Sequence, residues 1–261
     1  MVRKSRRVVA LGLTLVLACA GLAVADGAGE NDAKVIGNVN PKKLDKKKFK
    51  PIALTLGVQN SLNLTGQGAN PTSELIKVSK NVKINLKRAP RCTAPIPNGT
   101  PPAQARQLCP PKSLIGTGKA AVAAPGIAPQ CGGDLANPPC VFARPDVLVF
   151  NGPGRNQVRL HTYHPLLGAS SPIVNGRIVK ASGKAFGQAL SVPNAPETGA
   201  LLITQFQATI KKNSKVATAR CKPKRIRYQR TVTYFDGSRE TVSKSQKCKV
   251  KKAKKGKKKR R

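Results

Sequence analysis

Residues 75–87 have the sequence LIKVSKNVKINLK, the clearest pattern in the chain. Every second residue from 76 to 86 is apolar except Lys80, and the residues between them are Lys, Ser or Asn. Because successive side chains of a strand point to opposite faces, this period of two predicts one long β-strand with a buried face and a wet face. Lys80 interrupts the apolar face and predicts a bend.

The same alternation recurs at 52–58, before this stretch, and at 202–210, far beyond it in the sequence. Pro101-Pro102 favours one short helix at 103–109, because proline suits the first helical turn. Many short strands separated by turn residues predict a single, mainly β, antiparallel β-sandwich-like domain. The further predicted strands are 118–123, 147–150, 157–164, 173–181, 186–192, 201–212, 216–219, 224–235 and 240–247.

The N-terminus has the pattern of an export signal over residues 1–25. Four basic residues precede the apolar run 8–24, and Ala23-Val24-Ala25 fits a small-x-small cleavage site. Cleavage would leave a flexible leader (26–50), a β domain (51–248) and a disordered polybasic tail (249–261). A lipid anchor on Cys19 is an alternative, although the apolar run continues past it to a better cleavage site.

Six cysteines follow the predicted signal, and an even number in an exported chain indicates a disulfide framework. Their spacing favours the pairs 92–109, 131–140 and 221–248, although six cysteines allow 15 connectivities. Asp236-Gly237 predicts a hairpin turn that would bring the last pair together. Because the sequence contains no C-x-x-C motif and has two histidines, we expect neither a metal nor a cofactor. The six are Cys92, Cys109, Cys131, Cys140, Cys221 and Cys248.

The formal net charge is +38, and +34 remains once the four positive charges of the signal are removed. Such a charge attracts polyanions, which for an exported protein means teichoic acid, acidic polysaccharide or an anionic lipid surface. We expect no dedicated nucleic acid partner and no transmembrane segment after cleavage. A solubilising tail without a partner is the alternative. The predicted polyanion-binding residues are Lys249, Lys251, Lys252, Lys254, Lys255, Lys257, Lys258, Lys259, Arg260 and Arg261.

Catalysis has few candidate residues. No G-x-S-x-G or H-E-x-x-H motif occurs, and His161 and His164 would face opposite sides of a strand. A pair of carboxylates could cleave a glycosidic bond if the fold brought them within about 5–10 Å of each other. The candidate acids are Asp134, Asp146, Glu197, Asp236 and Glu240.

The chain resembles a family of uncharacterised exported β-rich proteins of high-GC Gram-positive (actinobacterial) soil bacteria. The resemblance covers about residues 50–250 and implies export, β structure and disulfides, with no established function and no site. It rests on the segments PIALTL (51–56), Cys109 with LIGTGKA (114–120), ARC (219–221), YFDGS (234–238) and Cys248 before the lysines.

From these features we expect a secreted, extracellular or cell-wall associated protein of the cell envelope. Its expected function is non-enzymatic electrostatic binding of anionic polymers. Two alternatives remain open: a secreted hydrolase acting on wall or environmental polysaccharide, and an extracellular cationic DNA-binding or toxic protein. The oligomeric state does not follow from the sequence.

Overall fold

A computed structural model describes residues 33–60, 71–123, 141–193, 202–234 and 237–251. The protein is mainly β, and the described residues contain one α-helix, α1 (Pro102–Leu108), at the place that the sequence predicted. The strands are β1 Lys34–Asn40, β2 Lys43–Leu44, β3 Lys50–Pro51, β4 Ala53–Gln59, β5 Pro71–Ser79, β6 Val82–Ile84, β7 Leu114–Ala123, β8 Val141–Ala143, β9 Asp146–Asn151, β10 Gln157–Tyr163, β11 Ile173–Lys180, β12 Phe186–Val192, β13 Leu202–Ile210, β14 Ala217–Ala219, β15 Arg225–Tyr234, β16 Arg239–Lys247 and β17 Lys249–Val250.

One large sheet dominates the fold. Its twelve strands follow the order β1-β4-β13-β7-β9-β10-β11-β12-β5-β15-β16, with β8 paired to β7. Every pairing in it is antiparallel, as predicted. Two small sheets complete the fold: antiparallel β3-β14-β6 and the parallel pair β17-β2.

The large sheet curls until its first and last strands meet, which gives the sandwich-like layering from one continuous sheet. Gln246 on β16 accepts a hydrogen bond from the Val39 amide of β1 (2.8 Å) and donates one to the Val39 carbonyl (3.2 Å). The Tyr228 ring of β15 packs on Gly37 of β1, so closely that a Cβ at position 37 would overlap the ring. A side-chain amide thus takes the place of backbone pairing where the two edges meet.

The single long strand predicted at 76–86 is wrong. The chain turns at Lys80, as the interrupted apolar face indicated, and splits into β5 in the large sheet and β6 in the small one. Asn81 holds the turn: it accepts from the Ser79 hydroxyl (2.6 Å) and donates to the Arg225 carbonyl (3.0 Å). Ile76 and Val78 of β5 and Val82 and Ile84 of β6 lie in the same core, so the alternation survives the break.

The flexible leader predicted at 26–50 is also wrong for residues 33–50. Strand β1 pairs with β4 over seven residues, and Val35, Val39 and Leu44 are buried in the main core. These apolar side chains offset the cost of ordering the segment. The folded part of the chain therefore begins before Pro51, and residues 26–32 lie outside the described residues.

Two of the three predicted disulfides are confirmed: Cys92–Cys109 and Cys221–Cys248. The pair 131–140 lies outside the described residues. Strands β15 and β16 form the predicted hairpin, and Gly237 next to the turn has a φ of +81°, a conformation that glycine adopts without strain. The two cystines indicate an oxidising environment. No helix in the described ranges is long and apolar enough to cross a membrane.

Candidate polyanion-binding surface

The N-terminal and C-terminal parts of the folded domain meet in the parallel pair β2–β17. The Lys249 amide donates to the Lys42 carbonyl (2.9 Å), and the Lys251 amide donates to the Leu44 carbonyl (2.8 Å). Leu44 is buried in the main core and Val250 packs against that core. This pairing brings together two lysine-rich segments that are about 200 residues apart in the sequence.

The Cys221–Cys248 cystine adds a third basic segment at the same place. The Cys221 amide donates to the Asp45 carbonyl (2.7 Å), and the Cys248 amide donates to the Lys224 carbonyl (3.0 Å). We call the resulting surface the basic end. It consists of ten exposed lysines: Lys42, Lys43, Lys46, Lys47, Lys48, Lys222, Lys224, Lys247, Lys249 and Lys251.

Asp45 is the one acidic residue in the three segments that form the basic end. Its Oδ1 atom accepts backbone hydrogen bonds from Lys47 (2.8 Å) and Lys48 (2.7 Å), which shapes the turn that presents the lysines. These two bonds, with the nearby lysine charges, lower the pKa of Asp45 below its ordinary value. Among the described residues, no carboxylate forms an ion pair with any lysine of the basic end.

The positive surface continues onto the small sheet β3-β14-β6. The Lys83 ammonium lies 4.6 Å, and the Arg220 guanidinium carbon 4.8 Å, from the centre of the Phe49 ring. Cation–π contacts of this kind hold a charge in place without neutralising it. The Arg220 Nε atom is buried and has no hydrogen-bond partner among the described residues.

The predicted polybasic tail begins in the basic end. Lys249 is part of β17 and Lys251 is hydrogen-bonded to Leu44, so the prediction of disorder is wrong for these first residues. The eight other predicted polyanion-binding residues lie outside the described residues: Lys252, Lys254, Lys255, Lys257, Lys258, Lys259, Arg260 and Arg261.

The candidate carboxylates of a hydrolase are not brought together in the described part of the chain. Asp146 on β9 pairs with Lys119 (2.5 Å), and Glu240 on β16 accepts from the Tyr234 hydroxyl (2.9 Å). Five strands separate β9 from β16 along the large sheet, and four separate them through the closure between β1 and β16. The other candidates, Asp134, Glu197 and Asp236, lie outside the described residues.

The two histidines have separate roles. His161 is fully buried and its imidazole Nε2 contacts the Thr100 carbonyl at 2.8 Å, whereas Nδ1 has no partner among the described residues. Burial lowers the pKa of His161, so the ring is neutral at pH 7. His164 Nδ1 accepts from the Leu166 amide (3.3 Å). Within the described ranges, no group of three His, Cys, Asp or Glu residues could hold a metal ion.

The sequence did not predict that the lysines at 42–48 belong to the folded domain, because residues 26–50 have the composition of a flexible leader. The signal was present: five lysines occur between 42 and 48, next to a single acid. The pairing of β2 with β17 could not be predicted, because strands of two residues are too short to show a periodic pattern in the sequence.

No protein-family profile matches the chain, and no curated protein matches it either.

Proposed function

We propose that this is a secreted or cell-envelope-associated, non-enzymatic protein that binds anionic polymers through the basic end. The observation that carries the proposal is the junction of three lysine-rich segments at β2, β17 and the Cys221–Cys248 cystine. Ten exposed lysines share this surface without an ion-pair partner among the described residues. A polymer with regularly spaced negative charges can neutralise several of them at once and release its counterions.

The tail extends this surface in the proposed mechanism. Strand β17 fixes Lys249 and Lys251 to the folded domain, so the following basic residues start from the basic end. An anionic polymer held by the folded lysines is then close to the charges of residues 252–261, and the two sets bind as linked sites with a raised effective concentration. Teichoic acid, acidic polysaccharide and an anionic lipid surface all present such charges.

Binding of purified protein to a poly(glycerol phosphate) teichoic acid tests the proposal. The test variant replaces Lys42, Lys43, Lys46, Lys47 and Lys48 with glutamine. A matched control carries the same charge loss on exposed residues of other elements: Arg106, Lys112, Arg155, Arg177 and Lys180.

In 150 mM salt we expect the test variant to bind the polymer at least about tenfold more weakly than the wild-type protein. We expect the control variant to bind less than about threefold more weakly, because direct lysine–phosphate contacts contribute more than distant, screened charges. Equal weakening in the two variants would show that net charge alone attracts the polymer. Neutral dextran should bind neither protein.

A further inference from the structure

The outer face of the small sheet β3-β14-β6 carries two positive charges on one aromatic ring. The Lys83 ammonium lies 4.6 Å, and the Arg220 guanidinium carbon 4.8 Å, from the centre of the Phe49 ring. Lys83 lies between Val82 and Ile84, which are buried in the main core, so its side chain leaves the sheet on the outer face. We call Phe49, Lys83 and Arg220 the Phe49 cluster.

The nitrogen donors of the Phe49 cluster are not used by the described part of the protein. Neither Lys83 nor Arg220 forms an ion pair there, and neither side chain donates a hydrogen bond. Arg220 Nε is buried without a partner, whereas the two Nη nitrogens are open to solvent. Arg230, in contrast, donates to both Glu74 oxygens and to Asn60 Oδ1. The cluster therefore has donors available for an acceptor from outside the fold.

The Phe49 ring holds both charges in place before a ligand arrives. A cation–π contact attracts a cation without supplying an oxygen acceptor, so the N–H groups stay available. Long basic side chains lose rotamer freedom when they bind, and a side chain that is already held loses less. Preorganised groups bind more tightly for this reason. The lysines of the basic end have no such ring contact among the described residues.

An open hollow lies beside Lys83, between β6 and β12. Its volume is about 380 Å³, and its lining includes Lys80, Lys83, Asn85 and Gln188. The Gln188 side-chain amide is held by two hydrogen bonds to the Ile84 backbone, at 2.7 and 2.9 Å. Small-molecule sites have volumes of roughly 300–1,000 Å³. The organic part of a small ligand can therefore lie here while its anionic group contacts the Phe49 cluster.

We propose that the Phe49 cluster binds a dianionic phosphate group, as carried by a phosphate monoester. Its two positive charges match the charge of about −1.5 to −2 on such a group at pH 7. The three terminal oxygens of a monoester can accept from the Arg220 fork and the Lys83 ammonium together. A carboxylate has two oxygens, and an arginine fork engages both.

This site goes beyond polymer binding and does not rest on it. None of its three residues belongs to the ten lysines of the basic end. A phosphodiester polymer has one negative charge and two terminal oxygens on each phosphate, so it matches the Phe49 cluster less well than a monoester does.

Glycerol 3-phosphate is the probe, and dimethyl phosphate is the matched control ligand, because it is a phosphodiester with a single negative charge. Nitrogen-15 NMR of the purified protein at pH 7 in 150 mM salt follows the backbone amides of Phe49, Lys83 and Arg220 during each titration. We expect saturable shifts with glycerol 3-phosphate that are largest at the Phe49 cluster, and an at least tenfold weaker affinity for dimethyl phosphate.

Substitutions in the cluster separate a defined site from general attraction by charge. Arg220→Lys keeps the charge but removes the fork, and Lys83→Gln removes one charge. The control variant, Lys50→Gln, removes one charge from an exposed residue of β3 in the same sheet. We expect glycerol 3-phosphate to bind at least fivefold more weakly to each cluster variant and within twofold of the wild type to the control. If one cluster variant does not fold, the other decides.

Three results would overturn the proposal: no saturable shift in the wild-type protein, equal affinity for the monoester and the diester, or equal weakening by Lys83→Gln and Lys50→Gln. The last result would show that positive charge attracts phosphate without a defined site. None of these outcomes depends on whether the basic end binds poly(glycerol phosphate), because the lysines at 42–48 are unchanged in every variant used here.

Discussion

Arg230 offers a sharp test of the energetics because two ion pairs among the described residues have equal N–O distances and opposite burial. Arg230 Nη2 and Glu74 Oε1 lie 2.5 Å apart with side chains 0% and 10% exposed. Lys119 Nζ and Asp146 Oδ1 also lie 2.5 Å apart, but their side chains are 72% and 54% exposed. The two pairs differ in burial and in the number of hydrogen bonds, because Arg230 contacts both Glu74 oxygens whereas Lys119 contacts one oxygen of Asp146.

Arg230→Met should cost about 3–5 kcal/mol in the free energy of unfolding, because it leaves a buried carboxylate uncompensated. It also removes the donors to Asn60 Oδ1 and the Gln59 carbonyl. Lys119→Met should cost about 0–1 kcal/mol, because water screens the exposed pair. Urea unfolding of both variants, followed by circular dichroism, gives the two values.

The double variant Arg230→Met with Glu74→Leu separates charge from packing. Replacing both partners of a buried pair by apolar residues is often neutral or stabilising, so at least half of the loss should be recovered. A loss below about 1 kcal/mol for Arg230→Met, or a double variant no more stable than the single one, would refute the argument from an uncompensated charge.

Three further predictions test other parts of the fold. The free energy of unfolding of the wild-type protein should fall as pH drops below about 6.5, by at most about 1.4 kcal/mol per pH unit, because His161 takes up a proton in the unfolded chain but not when buried in the fold. Urea unfolding at pH 7 and pH 5 measures this slope. His161→Gln should remove the slope, and His164→Gln should keep it. Replacing Cys221 and Cys248 together with serine opens a loop with a sequence separation of 27 and should cost about 3.5 kcal/mol by the chain-entropy relation; a thermal midpoint equal to the wild type would contradict this. Gly37→Ala should cost about 1–3 kcal/mol because its Cβ would overlap the buried Tyr228 ring, and wild-type stability would show that β1 does not close the sheet in this way.

Much of the fold could be predicted from alternation and turn chemistry. The alternating apolar residues from Ile76 to Leu86 point into one core even though the chain turns at Lys80. The alternation sets which face of each strand is buried, but it does not reveal that β5 and β6 join different sheets. The sheet that each strand joins is set by long-range pairing: β5 pairs with β12 and β15, whereas β6 pairs with β14. The Gln188 side-chain amide also contacts the Ile84 backbone at 2.7 and 2.9 Å.

The candidate site was harder to predict because it depends on long-range pairing of short segments. The tail lysines are visible in the sequence as a run of like charges. Lys42 and Lys43, in contrast, join the basic end only because β2 pairs with β17. The sealing of β1 against β16 by Gln246 is equally invisible, because one glutamine in a polar strand carries no signal in the sequence.

The most direct test of the central claim is fractionation of cells that express the protein, washed at low salt and then at about 1 M salt, with the intact mass of the released species. At about 1 M salt the screening length is about 3 Å, so attachment through exposed lysines is lost. We predict a 26–261 species that is released only at high salt. The variant in which the five lysines at 42–48 are replaced by glutamine should be released at a lower salt concentration. Free protein at low salt, or retention that salt does not change, would contradict electrostatic attachment through the basic end.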